Sequence, residues 1–73
     1  MTQKDKDLII EAANNRQFTI NINGKKYPAQ LAGSKCDYPF AWTRNELGQD
    51  IDVQISWGLA ARISTGETNY ITV

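Results

Sequence analysis

Hydrophobic positions along this chain repeat with two periods, and the switches between them predict its elements. Leu8, Ile9, Ala12 and Ala13 fall within one arc at 100° per residue, the spacing of an amphipathic helix of about three turns. Thr2 followed by Asp5 predicts a capping box at its start. Asn14-Asn15 predicts its end, since asparagine tolerates a left-handed C-cap. Ile10 lies on the margin of the arc and is expected to be half exposed.

From Phe18 the period drops to two. Phe18, Ile20 and Ile22 alternate with Thr19 and Asn21, and Tyr27, Ala29 and Leu31 alternate with Lys26, Pro28 and Gln30. Between the two runs stands Asn23-Gly24, the dipeptide preferred in a two-residue type I′ hairpin turn. That turn pairs Ile22 with Lys25, Ile20 with Tyr27 and Phe18 with Ala29, so both apolar sets share one face. Pro28 then falls at a non-hydrogen-bonded pair, with its missing N–H turned away from the first strand. This predicts that the strand around Tyr27 to Leu31 lies at a sheet edge.

In the stretch SKCDYPFAWTR, Ser34 to Arg44, the residues Cys36, Tyr38, Phe40 and Trp42 share one parity. The spacing predicts a strand that turns its large side chains to the core, with its margins as the candidate binding surface. Pro39 suggests an edge or a bulge there. Arg44 to Asp50 reads as a loop around Gly48, after which Ile51, Val53, Ile55 and Trp57 alternate with polar residues and complete a second hairpin. Ser56 can cap a short helix carrying Trp57, Leu59, Ala60 and Ile63 and closed by Gly66. Gly58 inside it costs about 1 kcal/mol relative to alanine. The tail TNYITV, β-branched and aromatic, reads as a final strand.

The predicted fold is α+β: a small, mostly antiparallel sheet of about five strands, two hairpins plus a C-terminal strand, with an N-terminal helix and a short second helix. Were Leu59 to Ile63 a strand instead, a small OB or SH3-like barrel would be the better description.

Composition narrows what such a fold can do. The 73 residues make one domain, 1–73, which buries only about 60% of the surface its unfolded chain exposes. One cysteine, Cys36, and no histidine leave no internal disulfide and no ordinary zinc ligand set. The polar start MTQKDKD, followed by the short apolar run Leu8-Ile9-Ile10, predicts a stand-alone product of a reducing cytoplasm with no membrane association.

Net charge is zero, which predicts no strong pull on polyanions. The charges are nevertheless sorted. Arg16, Lys25, Lys26, Lys35 and Arg44 stand against Asp37 alone, whereas Glu46, Asp50, Asp52 and Glu67 stand against Arg62 alone. Such a dipole favours association with a charge-complementary partner or a second copy. An apolar stripe left uncovered by the two helices would call for a homodimer.

Chemistry-bearing residues are few. Cys36 is the sole candidate nucleophile besides hydroxyls, but on a strand Lys35 points to the opposite face and Asp37 disfavours a thiolate, so a buried or half-buried structural thiol is expected. Asp50 and Asp52 share a face about 7 Å apart, the pattern of a solvated strand or a weak hard-cation site. No glycine pattern forms a phosphate cradle. The expectation is a non-enzymatic protein without cofactor or metal.

Two binding readings remain. Lys25 and Lys26 at the first hairpin tip, with Lys35 and Arg44 flanking Tyr38, Phe40 and Trp42, would suit a single-stranded nucleic-acid surface, although zero net charge weighs against it. The preferred class is binding of another protein, with Tyr38, Trp42, Arg44 and Lys35 as contact candidates and the Lys25-Lys26 tip second. In size, in its richness in Asn and Gln and in its lack of catalytic signatures, the chain resembles the small accessory proteins of phages and prophages, inhibitors of host defence such as anti-CRISPR proteins among them. That resemblance implies an inhibitor or regulator acting by binding and blocking. It rests on no motif and transfers no residue.

Overall fold

Residues 1–73 are all described by the structure, a computed structural model. Helix α1 (Gln3–Asn14) begins where the sequence predicts: the Thr2 hydroxyl accepts from the Asp5 N–H, and the Asp5 carboxylate accepts from the Thr2 N–H. It ends one residue before Asn15, whose backbone stays right-handed (φ −82°) rather than adopting the expected left-handed cap. Strands β1 (Phe18–Ile22) and β2 (Lys25–Ala32) follow in the predicted register, Phe18 opposite Ala29 and Ile22 opposite Lys25. Positive φ at both Asn23 (52°) and Gly24 (84°) makes the intervening turn type I′.

Strands β3 (Phe40–Arg44) and β4 (Asp50–Gln54) form the second hairpin. Helix α2 (Trp57–Ser64) is capped by the Ser56 hydroxyl, which accepts from the Leu59 N–H, so Leu59 to Ile63 are helical and the barrel alternative falls away. Through α2 the chain crosses from the β4 edge to the far edge, where β5 (Tyr70–Thr72) pairs parallel to β1. The sheet order is β4-β3-β2-β1-β5, a mixed sheet curled into a half-barrel. The α+β fold with two hairpins, a C-terminal strand and two helices is therefore the observed one.

β2 is shared unevenly between its two neighbours. Its first half is paired with β1, up to Ala29, and its second half with β3, from Gln30 to Ala32. One cluster fills the concave side: Ala13 of α1, Phe18, Ile20, Ala29, Leu31 and Ala41 of the strands, Ile55, Ala60 and Ile63 of the α2 region, and Ile71 of β5.

Several expectations are corrected. The strand around Tyr27 to Leu31 is interior, not an edge: β2 lies between β1 and β3. The β2–β3 register ends at Gln30 and Trp42, two positions short of Pro28 and Arg44, so the proline is accommodated by stopping the ladder. Nor is SKCDYPFAWTR a core-facing strand. Only its end, from Phe40, is strand, and the side chains it turns inward are Ala41 and Thr43, both buried. Phe40 and Trp42 lie half-buried on the opposite face. Parity grouped Phe40 with Trp42 correctly, though not Cys36 and Tyr38, which precede the strand, and could not say which face was in; the concave side takes the small residues. Pro39 is buried and continues the β3–β4 register, its carbonyl accepting from the Ile55 N–H at 3.0 Å. Leu8, placed by periodicity in the apolar arc, is 53% exposed, while Ile9 and Ile10 pack against the core.

Candidate functional site: the open face of the sheet

Both helices cover the same face, and the other is open. The pleat sends Thr19 and Asn21 of β1, Lys26, Pro28 and Gln30 of β2, and Phe40, Trp42 and Arg44 of β3 to that side. Asp50 and Asp52 of β4 and Tyr70 of β5 join them, by their registers with Arg44, Trp42 and Thr19. Asp50 and Asp52 are exposed on one face, as their spacing predicts.

Where the β2–β3 ladder stops, a shallow groove of about 640 Å³ opens over Pro28. Arg16 and Lys26 stand along the β1–β2 side and Trp42 and Arg44 along the β3 side, with Gln30 between. No carboxylate lines it. The cations differ in their engagements. Arg44 donates through Nε to Asp50 at 3.0 Å, and Arg16 donates through Nε to the Ser64 carbonyl at 2.9 Å, its guanidinium lying against Gly66 at the end of α2. Lys26 makes no ion pair.

A second depression adjoins it, between Lys26 and Tyr70 over Thr19 and Asn21. The Asn21 Oδ1 is shielded from solvent and accepts no hydrogen bond, which costs about 1–3 kcal/mol. The face thus runs from a basic flank on β1–β2, past the Trp42 indole, to an acidic flank on β4.

The predicted contact residues divide into three groups. Trp42, Arg44 and Lys26 share the groove. Lys25 is of the other parity: its ammonium pairs with Glu46 at 3.1 Å, and the Tyr27 hydroxyl donates to the same carboxylate at 2.6 Å. The Tyr27 hydrogen bond is the main cause that holds the Glu46 carboxyl down to about 2, aided by its own backbone N–H and by Lys25. The same contact raises the Tyr27 phenol, and the Glu46 hydrogen bond raises Lys25.

Lys35 and Tyr38 are exposed on the connection between β2 and β3, apart from the groove. That connection is fastened to the helices. Gln3 Nε2 donates to the Ser34 carbonyl at 2.6 Å, Lys6 Nζ to the Cys36 carbonyl at 3.3 Å, and the Trp57 indole to the Asp37 carbonyl at 2.9 Å. It starts at Gly33, whose φ of +96° favours glycine and where a β-carbon would stand 3.3 Å from the Phe40 ring. Cys36 sits here as an exposed free thiol, not the buried or half-buried one expected: with no strand before Phe40, no core face exists to take it.

Arg16, Gln30 and Tyr70 are groove and face residues that the sequence reading passed over. The signal for Gln30 and Lys26 lay in the hairpin register, which fixes their shared face. Arg16 precedes β1, and nothing in the chain's periodicity points to it.

No helix is long and apolar enough to cross a membrane. No protein-family model matches the chain, and no curated protein or solved structure is similar to it.

Proposed function

We propose that this chain is a non-catalytic accessory protein that binds another protein through the open face of its sheet and thereby inhibits or regulates it. The observation that carries this reading is the one-sided cover. The helices occupy the concave side, while Trp42, half-buried, and Tyr70, 57% exposed, stand on the uncovered face beside Lys26 and Arg44. Amphipathic rings with cationic neighbours are the residue types that anchor protein interfaces. A face whose sign changes from β2 to β4 suits a partner that is itself patterned in charge.

The biological setting we propose is that of a phage or prophage accessory protein, of the host-defence inhibitor type such as anti-CRISPR; its support is the chain's size and composition. A reducing cytoplasm is the proposed location, with the exposed free thiol of Cys36 in its favour.

A second reading, a single-stranded nucleic-acid module, draws on one observation: three cations and an indole line the groove without a carboxylate. Capture from lysate on tagged wild-type protein and on a Trp42→Ala, Lys26→Glu double variant separates the two. A discrete protein partner that survives nuclease and is absent with the variant is the expected result. Loss of all bound material on nuclease treatment, with steep weakening in salt, would overturn the protein-binding reading in favour of the second.

A further inference from the structure

The groove over Pro28 restricts what that partner can present. Its lining offers three cations and no acid. Arg44 is already neutralised by Asp50, and the Arg16 guanidinium turns to the end of α2, against the Ser64 carbonyl and Gly66, so the free positive charge of the groove is Lys26. The opposite wall is the Trp42 indole, and the floor is the exposed Pro28 ring. We infer that the groove receives a short acidic segment of the partner protein, with a carboxylate toward Lys26 and an apolar or aromatic side chain against Trp42 and Pro28. This inference rests on the protein-binding reading above and specifies its partner.

Charge complementarity selects the occupant. A carboxylate brought to the Lys26 ammonium forms a charge-assisted hydrogen bond, the strongest kind available to such a side chain. A polynucleotide would bring the same sign of charge, but at every step along its length. On this face it would run from Lys26 across Trp42 onto Asp50 and Asp52, the next strand over, where its phosphates meet carboxylates. A peptide places acids at one end of the groove and neutral groups at the other. It is also short enough to use one free lysine, where non-specific nucleic-acid affinity needs many phosphate contacts.

The test uses defined probes on the intact chain. A fluorescently tagged heptapeptide of glutamates around a central tyrosine, its lysine counterpart and an oligothymidylate are titrated by anisotropy at low and at high salt. Saturable binding of the glutamate peptide alone is expected, weakened about tenfold or more in Lys26→Glu and again in Trp42→Ala. Lys26 is exposed and unpaired, so its variant keeps the fold; unchanged circular dichroism and thermal midpoint verify this, and Lys26→Gln gives an intermediate affinity. Absence of saturable glutamate-peptide binding, or binding indifferent to Lys26 and Trp42, overturns the acidic-segment inference while leaving protein capture by the open face to be judged separately. Tighter binding of the oligothymidylate, lost in the same two variants, overturns the protein-binding reading itself.

Discussion

The side-chain amide of Asn14 makes both hydrogen bonds to the backbone of Leu31. Its Oδ1 accepts from the Leu31 N–H at 2.7 Å, and its Nδ2 donates to the Leu31 carbonyl at 3.0 Å. In the β1–β2 register the residue opposite Leu31 would be Arg16, but β1 begins only at Phe18. The last residue of α1 thus stands in for a missing strand partner and locks the helix to the sheet at their junction.

Asn14→Ala is expected to leave both Leu31 groups unpaired in a part-buried position and to cost about 2 kcal/mol. For a chain of this size that lowers the thermal midpoint by roughly 10 °C. Asn14→Asp keeps the acceptor and loses the donor, so its melting temperature should fall between the two. Scanning calorimetry of the three proteins checks the order; equal midpoints would show that the pair contributes nothing.

At the other end of β2, the buried Thr43 hydroxyl donates to the Pro28 carbonyl at 2.6 Å. This satisfies the acceptor that the interrupted β2–β3 ladder leaves open. Thr43→Val should destabilise by about 1 kcal/mol. Pro28→Val restores an N–H facing β3 and should extend the ladder to Arg44, narrowing the groove. Hydrogen exchange reads this directly: a protected amide at position 28 is expected, and a fast-exchanging one would show that the gap is held open by something other than the proline.

Acid stability should carry the signature of Glu46. Its carboxyl titrates at about 2 in the folded chain against an ordinary 4.5. The folded value is the lower one, so the contribution is fully present above the ordinary value and disappears as pH falls from about 4.5 toward 2. Glu46→Gln should flatten the acid limb of a stability–pH curve in that window. Tyr27→Phe, which removes the first cause of the shift, should flatten it partly. A wild-type slope retained in Glu46→Gln would place the acid sensitivity elsewhere.

Native-state alkylation tests the placement of Cys36. An exposed thiol should react with iodoacetamide at the same rate in the folded chain as in denaturant, after allowance for the denaturant's effect on a free thiol. Strong protection in the folded state would return the 33–39 connection to the core.

What the sequence determined by itself are the features set by neighbours in the chain. The capping box of Thr2 and Asp5, the type I′ turn at Asn23-Gly24 with the register it imposes, and the Ser56 cap of α2 all act within a few residues. The α+β composition of the fold followed from these together with the two hydrophobic periods. Period two also grouped Phe40 with Trp42, but a strand has two faces and its own pattern does not name the inner one. That choice came from the curl of the sheet, which admits only Ala41 and Thr43 to the concave side and gives Thr43 an acceptor in Pro28. The interior place of β2, the Asn14–Leu31 pair and the groove joining Arg16 to Trp42 likewise bring together residues far apart in sequence. Such contacts exist only once the strands have taken their order, because their free energy comes from shared burial and from backbone groups that no local turn can satisfy.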